Sequence, residues 1–348
     1  MGRVEMTVQE LAATAHRLVG SGKGILAMDE SDSTCNKRFA AVGAPQTEEA
    51  RRAYRELIVT TPRLGESVSG AILYDETIRQ RKKDGTLFVR VLTDACIIPG
   101  IKVDTGAKPL AGRPGETITE GLDGLRPRLR DYFQMGARFA KWRAVISPAD
   151  GLPSRSCIQA NAHALARYAA LCQEVGLVPI VEPEVLMAGT HTLERCREVA
   201  EATLHCVFNQ LYAQGVLLEG IILKPNMVLP GLNCPKLETV AEVAAATVTS
   251  LLRVVPASVA GIAFLSGGQS SELASARLNA MNVIAKSAGA RPPWPLAFSF
   301  ARAIQQPALE IWRGHENRVI AAQHALAHRA RCNKAALQGE YSAEMERT

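Results

Sequence analysis

The sequence predicts an α/β protein with the (β/α)8 TIM barrel fold. Eight short apolar runs recur at intervals of roughly 30 to 45 residues in a chain of 348, and longer segments with helical periodicity lie between them. No G-x-G-x-x-G motif follows the first run, although an open dinucleotide-binding sheet would be expected to show one. An open, doubly wound sheet is therefore the weaker alternative.

The predicted strands are mostly continuous in apolar residues, which is typical of parallel strands buried on both faces. In chain order they are GILAMD (24–29), GAILYDE (70–76), IIPGIKVD (97–104), FAKWRAVI (139–146), VPIVEPE (178–184), GIILKPN (220–226), GIAFLSG (261–267) and PLAFSFA (295–301). Helical spacing is evident, for example, at 162–175, 193–214 and 240–255. With right-handed crossovers, eight such repeats close most simply into a barrel. We expect residues 1–348 to form one domain, with an N-terminal helical extension and a short C-terminal tail.

Composition and charge narrow the class of protein. Hydrophobic residues make up 47% of the chain and charged residues 21%, which is enough apolar material for a large core and excludes intrinsic disorder. The formal net charge of +6 is mild, and no block of basic residues resembles a nucleic-acid-binding arm. There is no apolar run long enough to span a bilayer and no secretory signal. We expect a cytoplasmic protein that binds acidic small ligands rather than nucleic acid or membrane.

Cysteine and histidine spacing argues against a metal site. The eight cysteines lie far apart without a C-x-x-C pair, which predicts reduced thiols in a cytosolic compartment. The seven histidines form no H-E-x-x-H, and the one H-x-x-x-H, HALAH at 324–328, lies outside the predicted strands. We therefore expect neither a metal nor a cofactor.

Polar residues at the predicted strand ends point to a catalytic site, because barrel enzymes place their chemistry at the C-terminal ends of the strands. Three of these residues are lysines inside apolar runs, and an unpaired buried ammonium costs several kcal/mol. We expect Asp29, Glu182 and Glu184 to compensate them. The strand-end residues are Asp29, Glu76, Lys102, Asp104, Lys141, Arg143, Glu182, Glu184, Lys224, Ser266, Gly267, Gly268 and Arg302.

Lys224, in GIILKPN, is the candidate nucleophile. Desolvation and a neighbouring cation such as Lys141 would both disfavour its ammonium form and leave a neutral amine for Schiff-base chemistry. The bland alternative is a lysine whose stem is buried and whose amine reaches the rim. The other polar strand ends favour the functional interpretation.

The carboxylates offer acid–base groups. Glu182 and Glu184 are two apart in a strand and should project to the same side, where two like charges favour keeping a proton on one of them. Their alternative role is as counter-ions for Lys141 and Lys224. Asp29 is either a base for a hydroxyl proton or the N-cap of the following helix.

Two groups of residues resemble phosphate sites. Paired glycines in FLSGGQS would let backbone N–H groups approach an anion, and Arg302 ends the next strand; a plain glycine turn is the alternative. The second group could instead be a solvated basic face. It comprises Lys37, Arg38, Lys102 and Arg143 with the hydroxyls of Ser31, Ser33 and Thr34. Two phosphate sites suggest a bisphosphate substrate.

Seven collinear motifs resemble those of class I, Schiff-base fructose-bisphosphate aldolases. The motif sequences are more similar to bacterial and plastid-type members. They are GKGILAMDES, PGIKVD, FAKWR, VPIVEPE, ILKPNMV, FLSGGQS and LNAMN, and the similarity covers residues 7–342. The resemblance implies a metal-independent enzyme, commonly a homotetramer. Its reaction would be the reversible cleavage of fructose 1,6-bisphosphate to dihydroxyacetone phosphate and glyceraldehyde 3-phosphate.

The resemblance also implies residue roles. Lys224 would form the imine, Glu182 would move protons during its formation, and Asp29 would deprotonate the C4 hydroxyl, with Lys141 and Glu184 tuning the surrounding charges. The C1 phosphate would be held by Ser266, Gly267, Gly268 and Arg302. The C6 phosphate would lie toward Ser31, Thr34, Arg38, Lys102 and Arg143.

The sequence departs from the family at a few positions. Phe300 and Ala301 stand where the family often has Tyr and Gly, which would tighten the backbone beside the C1 phosphate. Animal members end in a long tail with a terminal tyrosine that assists proton exchange, whereas this sequence ends soon after Tyr341. We expect that assistance to come from elsewhere or to be absent.

Other functions remain open at this level. Another Schiff-base barrel, such as a transaldolase or a deoxyribose-phosphate aldolase, would need fewer phosphate-binding groups. A non-catalytic anion-binding barrel is disfavoured because all the candidate catalytic residues are intact. Sedoheptulose 1,7-bisphosphate and fructose 1-phosphate are further possible substrates, since no motif encodes the shape of the barrel mouth.

Overall fold

A closed barrel of eight parallel strands forms the centre of the computed structural model, which describes residues 8–236, 238–287 and 291–347. This confirms the predicted fold. The barrel strands are β1 (Gly24–Met28), β2 (Val68–Leu73), β3 (Ile98–Lys102), β6 (Phe139–Ile146), β7 (Val178–Val185), β8 (Ile222–Leu223), β9 (Gly261–Phe264) and β10 (Leu296–Phe300). An antiparallel hairpin of β4 (Gly106–Pro109) and β5 (Thr117–Glu120) lies between β3 and β6 in the chain. Each predicted apolar run overlaps one barrel strand, although β2 begins two residues before its run and β7 ends one residue after its run.

Helices connect the strands and surround the barrel. They are α1 (Val8–Val19), α2 (Asp32–Val42), α3 (Glu48–Val59), α4 (Asp75–Arg79), α5 (Phe88–Asp94), α6 (Leu125–Gln134), α7 (Arg155–Glu174), α8 (Leu193–Ala213), α9 (Val240–Val254), α10 (Ser271–Lys286), α11 (Arg302–Trp312) and α12 (Val319–Leu337). Short turns of 3-10 helix occupy Leu64–Glu66, Leu218–Gly220, Glu316–Arg318 and Ala343–Arg347.

Hydroxyl caps determine where several of the long helices begin. The side chains of Ser154, Thr192, Thr239 and Ser270 each accept a hydrogen bond from a backbone N–H in the first turn of α7, α8, α9 and α10. Helix α7 therefore begins before the predicted segment 162–175, which contains only its later turns. Strand β2 ends at Leu73, so Glu76 lies in α4 rather than at a strand end.

Helix α1 closes the N-terminal end of the barrel. Its buried residues Leu11, Ala15, Leu18 and Val19 pack in one cluster with inward-facing residues of the barrel. Those barrel residues include Ile25, Ile72, Phe139, Ile180, Ile222, Ala263 and Ala297. The polar strand-end residues lie at the opposite, C-terminal end. Within the described ranges, no helix has the length and apolar character needed to cross a bilayer.

Replacing Leu18 with Ala tests this closure. Leu18 is 0% exposed, and removing its side chain is expected to lower the free energy of unfolding by about 2–5 kcal/mol. Denaturant unfolding measures the change. The matched control is Val8→Ala on the same helix, where the side chain is 60% exposed and little change is expected. Equal stability of the two variants would show that α1 does not anchor the barrel.

Candidate active site

Four barrel strands bring four charged side chains together. Asp29 directly follows β1, Lys141 lies in β6, Glu182 in β7, and Lys224 directly follows β8. Lys141, Glu182 and Lys224 are 4%, 3% and 3% exposed, and Asp29 is 9% exposed. Charged groups are this deeply buried only when other charges or hydrogen bonds compensate them.

The four groups form a chain of alternating charge. Lys141 Nζ lies 2.6 Å from Asp29 Oδ2 and 3.4 Å from Glu182 Oε2. The other carboxylate oxygen, Glu182 Oε1, lies 3.4 Å from Lys224 Nζ. Lys141 thus bridges two carboxylates, and Glu182 bridges two amines. This confirms Asp29 and Glu182 as partners of the buried lysines.

The pKa values in this chain follow from the arrangement. Burial alone would raise the pKa of Glu182 and of Asp29, but the nearby charges of Lys141 and Lys224 outweigh burial and lower both values. Burial would lower the pKa of Lys141, but Asp29 and Glu182 raise it. The hypothesis that the Glu182–Glu184 pair favours a retained proton is therefore wrong for Glu182, because the cations are its nearer neighbours.

One oxygen of Glu182 remains free to accept a hydrogen bond. Oε2 is buried and accepts none from any part of the chain that the structure describes, despite the 3.4 Å separation from Lys141 Nζ. A buried acceptor without a donor is costly, so a hydroxyl group or water molecule bound there would be stabilised. Glu182 is thereby suited to exchange a proton with a bound ligand.

Glu184 and Lys102 have partners other than those expected. Glu184 forms an ion pair with Arg143 rather than with a lysine. Lys102 Nζ lies 3.1 Å from Asp104 Oδ1 and 5.8 Å from the centre of the Tyr74 ring. Both pairs follow from position. Lys102 and Asp104 lie at the end of the same strand, and Arg143 and Glu184 lie on the neighbouring strands β6 and β7. They extend the charged rim outward from the four-residue chain.

The loop after β9 has the backbone of an anion site. Gly267 and Gly268 have φ values of +59° and +96°, which side-chain-bearing residues rarely adopt. A Cβ on Gly268 would lie 3.1 Å from Arg302 Nη2, so the absence of a side chain lets this backbone approach the guanidinium. Ser266 is buried at the end of the same strand. The structure thus brings together the residues of the first predicted phosphate-binding site.

Arg302 lacks a counter-ion within the described residues. Partial desolvation and the positive charges of Arg38 and Arg143 lower its pKa, and Glu184 opposes them only in part. No ion pair or side-chain hydrogen bond joins Arg302 to another described residue. An unpaired guanidinium group within electrostatic range of two others makes this mouth attractive to anions.

The start of α2 carries several residues of the second predicted phosphate-binding site. Ser31 is the N-cap of this helix, and its hydroxyl contacts the hydroxyl groups of Ser33 and Thr34 at 3.2 and 3.1 Å. Asp29 is therefore not the cap, and that alternative is wrong. Arg38 lies on α2, where its Nη2 is buried and has no hydrogen-bond partner within the described ranges. A helix N-terminus with a nearby free guanidinium donor suits a phosphate.

Sequence reasoning missed a set of buried residues behind this group. Glu30, next to Asp29, forms ion pairs with both Arg38 and Arg55, and the Gln305 side chain also donates to it. The signal available in the sequence was the second acidic residue of AMDES, for which no partner was assigned. Arg55 and Gln305 lie on distant helical segments and carried no signal of their own.

One group of three possible metal ligands occurs among the described residues, away from the strand ends. It consists of His328 and Cys332 on α12 and Glu346 in the C-terminal 3-10 turn. His328 belongs to HALAH. The Glu346 carboxylate already accepts hydrogen bonds from Arg329 and Tyr341. No strand-end residue belongs to this cluster.

Comparisons with known proteins identify the family of this chain. The family model described as fructose-bisphosphate aldolase class-I matches residues 10–348. A probable fructose-bisphosphate aldolase class 1 from Xanthomonas campestris is 56% identical over 97% of this chain and 99% of its own length. The chloroplastic fructose-bisphosphate aldolase 3 of Arabidopsis thaliana is 50% identical, over 97% of this chain and 84% of its own.

A solved structure shares the fold closely. The fructose-bisphosphate aldolase of Plasmodium falciparum, in a ternary complex with TRAP and a small-molecule inhibitor, superposes with a TM-score of 0.93. Its sequence is 46% identical, and the match covers 96% of each chain. With the barrel, the charged mouth and the matched family model in agreement, the chain belongs to the class-I fructose-bisphosphate aldolase family.

Proposed function

We propose that this chain cleaves fructose 1,6-bisphosphate reversibly to dihydroxyacetone phosphate and glyceraldehyde 3-phosphate through an imine on Lys224, without a metal. Metal-independent aldol cleavage by a Schiff base is characteristic of the family. The single observation that supports the residue assignment is the buried Lys224 Nζ at 3.4 Å from a carboxylate oxygen of Glu182. A buried amine beside a proton acceptor is the arrangement that imine formation needs.

Proton transfer between these two groups begins the reaction. A proton passing from the Lys224 ammonium to Glu182 leaves a neutral amine and a carboxylic acid. The amine attacks the C2 carbonyl to give a carbinolamine, and Glu182 protonates the hydroxyl group that leaves as water. The protonated imine remains. Lys141 stays charged throughout, because Asp29 and Glu182 raise its pKa, and it balances the carboxylates.

Carbon–carbon cleavage follows at Asp29, the other end of the row of four charged groups. The Asp29 carboxylate takes the proton of the C4 hydroxyl, the C3–C4 bond breaks, and its electron pair moves into the imine to form an enamine. Glyceraldehyde 3-phosphate leaves. The enamine takes up a proton at C3, balanced by the proton that Asp29 gives up. Water then hydrolyses the imine and releases dihydroxyacetone phosphate and the free amine of Lys224. The lowered pKa of Asp29 keeps it ionised and ready to act as the base at neutral pH.

The two anion sites orient the substrate. Ser266, Gly267, Gly268 and Arg302 would hold the C1 phosphate, and Ser31, Thr34, Arg38, Lys102 and Arg143 would lie toward the C6 phosphate. Contacts remote from the reacting carbons place C2 against Lys224 and the C4 hydroxyl against Asp29. Glu184 acts by holding Arg143 at the rim.

The chain as a whole fits a cytoplasmic, single-domain enzyme that assembles as a homotetramer. All eight cysteines are free thiols, as in a reducing compartment. Relatives include a fructose-bisphosphate aldolase 6 of Arabidopsis thaliana described as cytosolic, as well as the chloroplastic one. The tetramer is proposed from family membership.

Trapping the imine tests Lys224. Borohydride added with dihydroxyacetone phosphate is expected to inactivate the enzyme and leave a stable mass increment at Lys224, whereas EDTA should not affect activity. Lys224→Met should abolish both turnover and trapping, while the exposed Lys286→Met should retain both. Peptide mass spectrometry and a cleavage assay over sugar bisphosphates measure the outcome. An unmodified Lys224 or inhibition by EDTA would overturn the mechanism.

Lys141 sets the pH dependence. Its ammonium lowers the pKa of Asp29 and Glu182, so Lys141→Met should raise both and move the acid limb of the kcat/KM profile upward by about one to three pH units. The maximal rate should fall as well. Lys83→Met, an exposed lysine paired with Glu316, is the control. An acid limb at its original pH in Lys141→Met would contradict the coupling.

Gly268→Ala tests the C1-phosphate site. An added Cβ would press on Arg302 and strain a backbone with φ of +96°, so KM for fructose 1,6-bisphosphate should rise about tenfold, as expected for one lost charge-assisted contact. Gly85→Ala is the control, because Gly85 has φ of +88° but nothing within 4 Å of its Cβ position. Steady-state kinetics measures both. Equal KM values in the two variants would exclude close approach to Arg302 as the reason for glycine.

A further inference from the structure

Glu30 is the centre of a buried group of which the mechanism above uses only Arg38. Its Oε2 accepts a hydrogen bond from Arg55 Nη1 at 2.7 Å, and its Oε1 accepts from Arg38 Nη1 and from Gln305 Nε2, the latter at 3.0 Å. Arg55 Nη2 also donates to the backbone oxygen of Glu30 at 3.2 Å. The Arg55 and Glu30 side chains are 2% and 8% exposed.

These contacts join four elements at the barrel mouth. Glu30 lies between β1 and α2, Arg38 on α2, Arg55 on α3 and Gln305 on α11. Gln305 Nε2 also donates to the backbone oxygen of Ala27 in β1 at 2.5 Å. The end of the strand that carries Asp29 and the helix that carries Arg38 are thus fixed to the same carboxylate.

The charges of this group do not cancel. One carboxylate lies between two guanidinium groups, so the group keeps one positive charge. Although burial alone would raise the pKa of Glu30, Arg38 and Arg55 lower it, and the carboxylate stays ionised. Arg38 is bonded through Nη1, while its Nη2 is buried without an acceptor among the described residues. Arg38 therefore retains an unused donor, and it shares one carboxylate with Arg55, so the excess positive charge of the group is not cancelled.

We propose that Glu30 and Arg55 are positioning residues for recognition of the second phosphate. Glu30 holds Arg38 in place, and Arg55 compensates the Glu30 carboxylate, so that the charge of Arg38 remains available to an anion at the mouth. Without Arg55, Glu30 would neutralise Arg38 instead. The inference rests on the proposed function, in which Arg38 faces the C6 phosphate. Its consequence is preference for a sugar bisphosphate over the corresponding monophosphate.

The ratio of kcat/KM for fructose 1,6-bisphosphate to that for fructose 1-phosphate measures this preference, because the second substrate lacks the C6 phosphate. Arg55→Met should lower the ratio about tenfold, through a higher KM for the bisphosphate, since one nearby unit charge is lost. The fructose 1-phosphate kinetics should change little. Arg52→Met on the same helix is the matched control, as Arg52 pairs with Glu49 and Glu56.

A double variant separates charge from packing. Glu30→Gln with Arg55→Met removes both buried charges, and the amide oxygen that replaces the Glu30 carboxylate can still accept from Arg38, so most of the bisphosphate preference should return. Replacing both members of a buried ion pair is often tolerated where removing one is not. Should Arg55→Met fail to fold, Arg55→Gln takes its place, since it removes the charge but keeps a donor for Glu30.

Three results would overturn the proposal. They are an unchanged ratio in Arg55→Met, an equal loss with both substrates, and a double variant as impaired as the single one. Arg38→Met distinguishes this failure from failure of the proposed function. If Arg38→Met lowers the ratio and Arg55→Met does not, only the role of Arg55 and Glu30 is wrong. If Arg38→Met leaves the ratio unchanged, the placement of the C6 phosphate itself is wrong.

Discussion

The alternation of charge along Asp29, Lys141, Glu182 and Lys224 is the constraint on which the active site depends. None of these groups could stay charged in the barrel alone, because desolvation of a single ion costs several kcal/mol. Each carboxylate lowers the desolvation cost of a neighbouring amine, and each amine lowers that of a neighbouring carboxylate. The nitrogen–oxygen distances are 2.6 to 3.4 Å. In the proposed mechanism, transfer of a proton from Lys224 to Glu182 would therefore leave no isolated charge.

The barrel makes this alternation possible by bringing together residues that lie in or directly after β1, β6, β7 and β8. Helix α1 closes the opposite end with apolar side chains, so the polar groups are confined to one mouth. Around that mouth Arg38 and Arg143 lie within electrostatic range of Arg302, which has no counter-ion among the described residues. In the proposed mechanism, the buried Asp29–Lys141–Glu182–Lys224 group acts on the reacting carbons, and the surrounding arginines bind the phosphates.

The sequence predicted much of this arrangement for an identifiable reason. Lys141, Glu182 and Lys224 stand out because charged residues are rare inside apolar strands, and a barrel places such residues at one end. The sequence-based prediction of ion-pair and capping partners was wrong where the partner is decided by distance in the folded chain rather than by residue type. Glu184 pairs with Arg143 instead of a lysine, and Ser31 rather than Asp29 caps α2. The spacing of Glu182 and Glu184 predicted a pair of carboxylates that shares a proton, but the cations beside Glu182 lower its pKa.

By itself, the amino-acid order determined the barrel, the strand ends and the lysine proposed as the nucleophile, because periodicity and local polarity are properties of short segments. The tertiary structure alone decided which charges meet. Glu30, Arg38, Arg55 and Gln305 come together from a loop and three different helices. No local pattern records such a meeting, since the energy of a buried charge depends on neighbours that only the folded chain brings within a few ångströms.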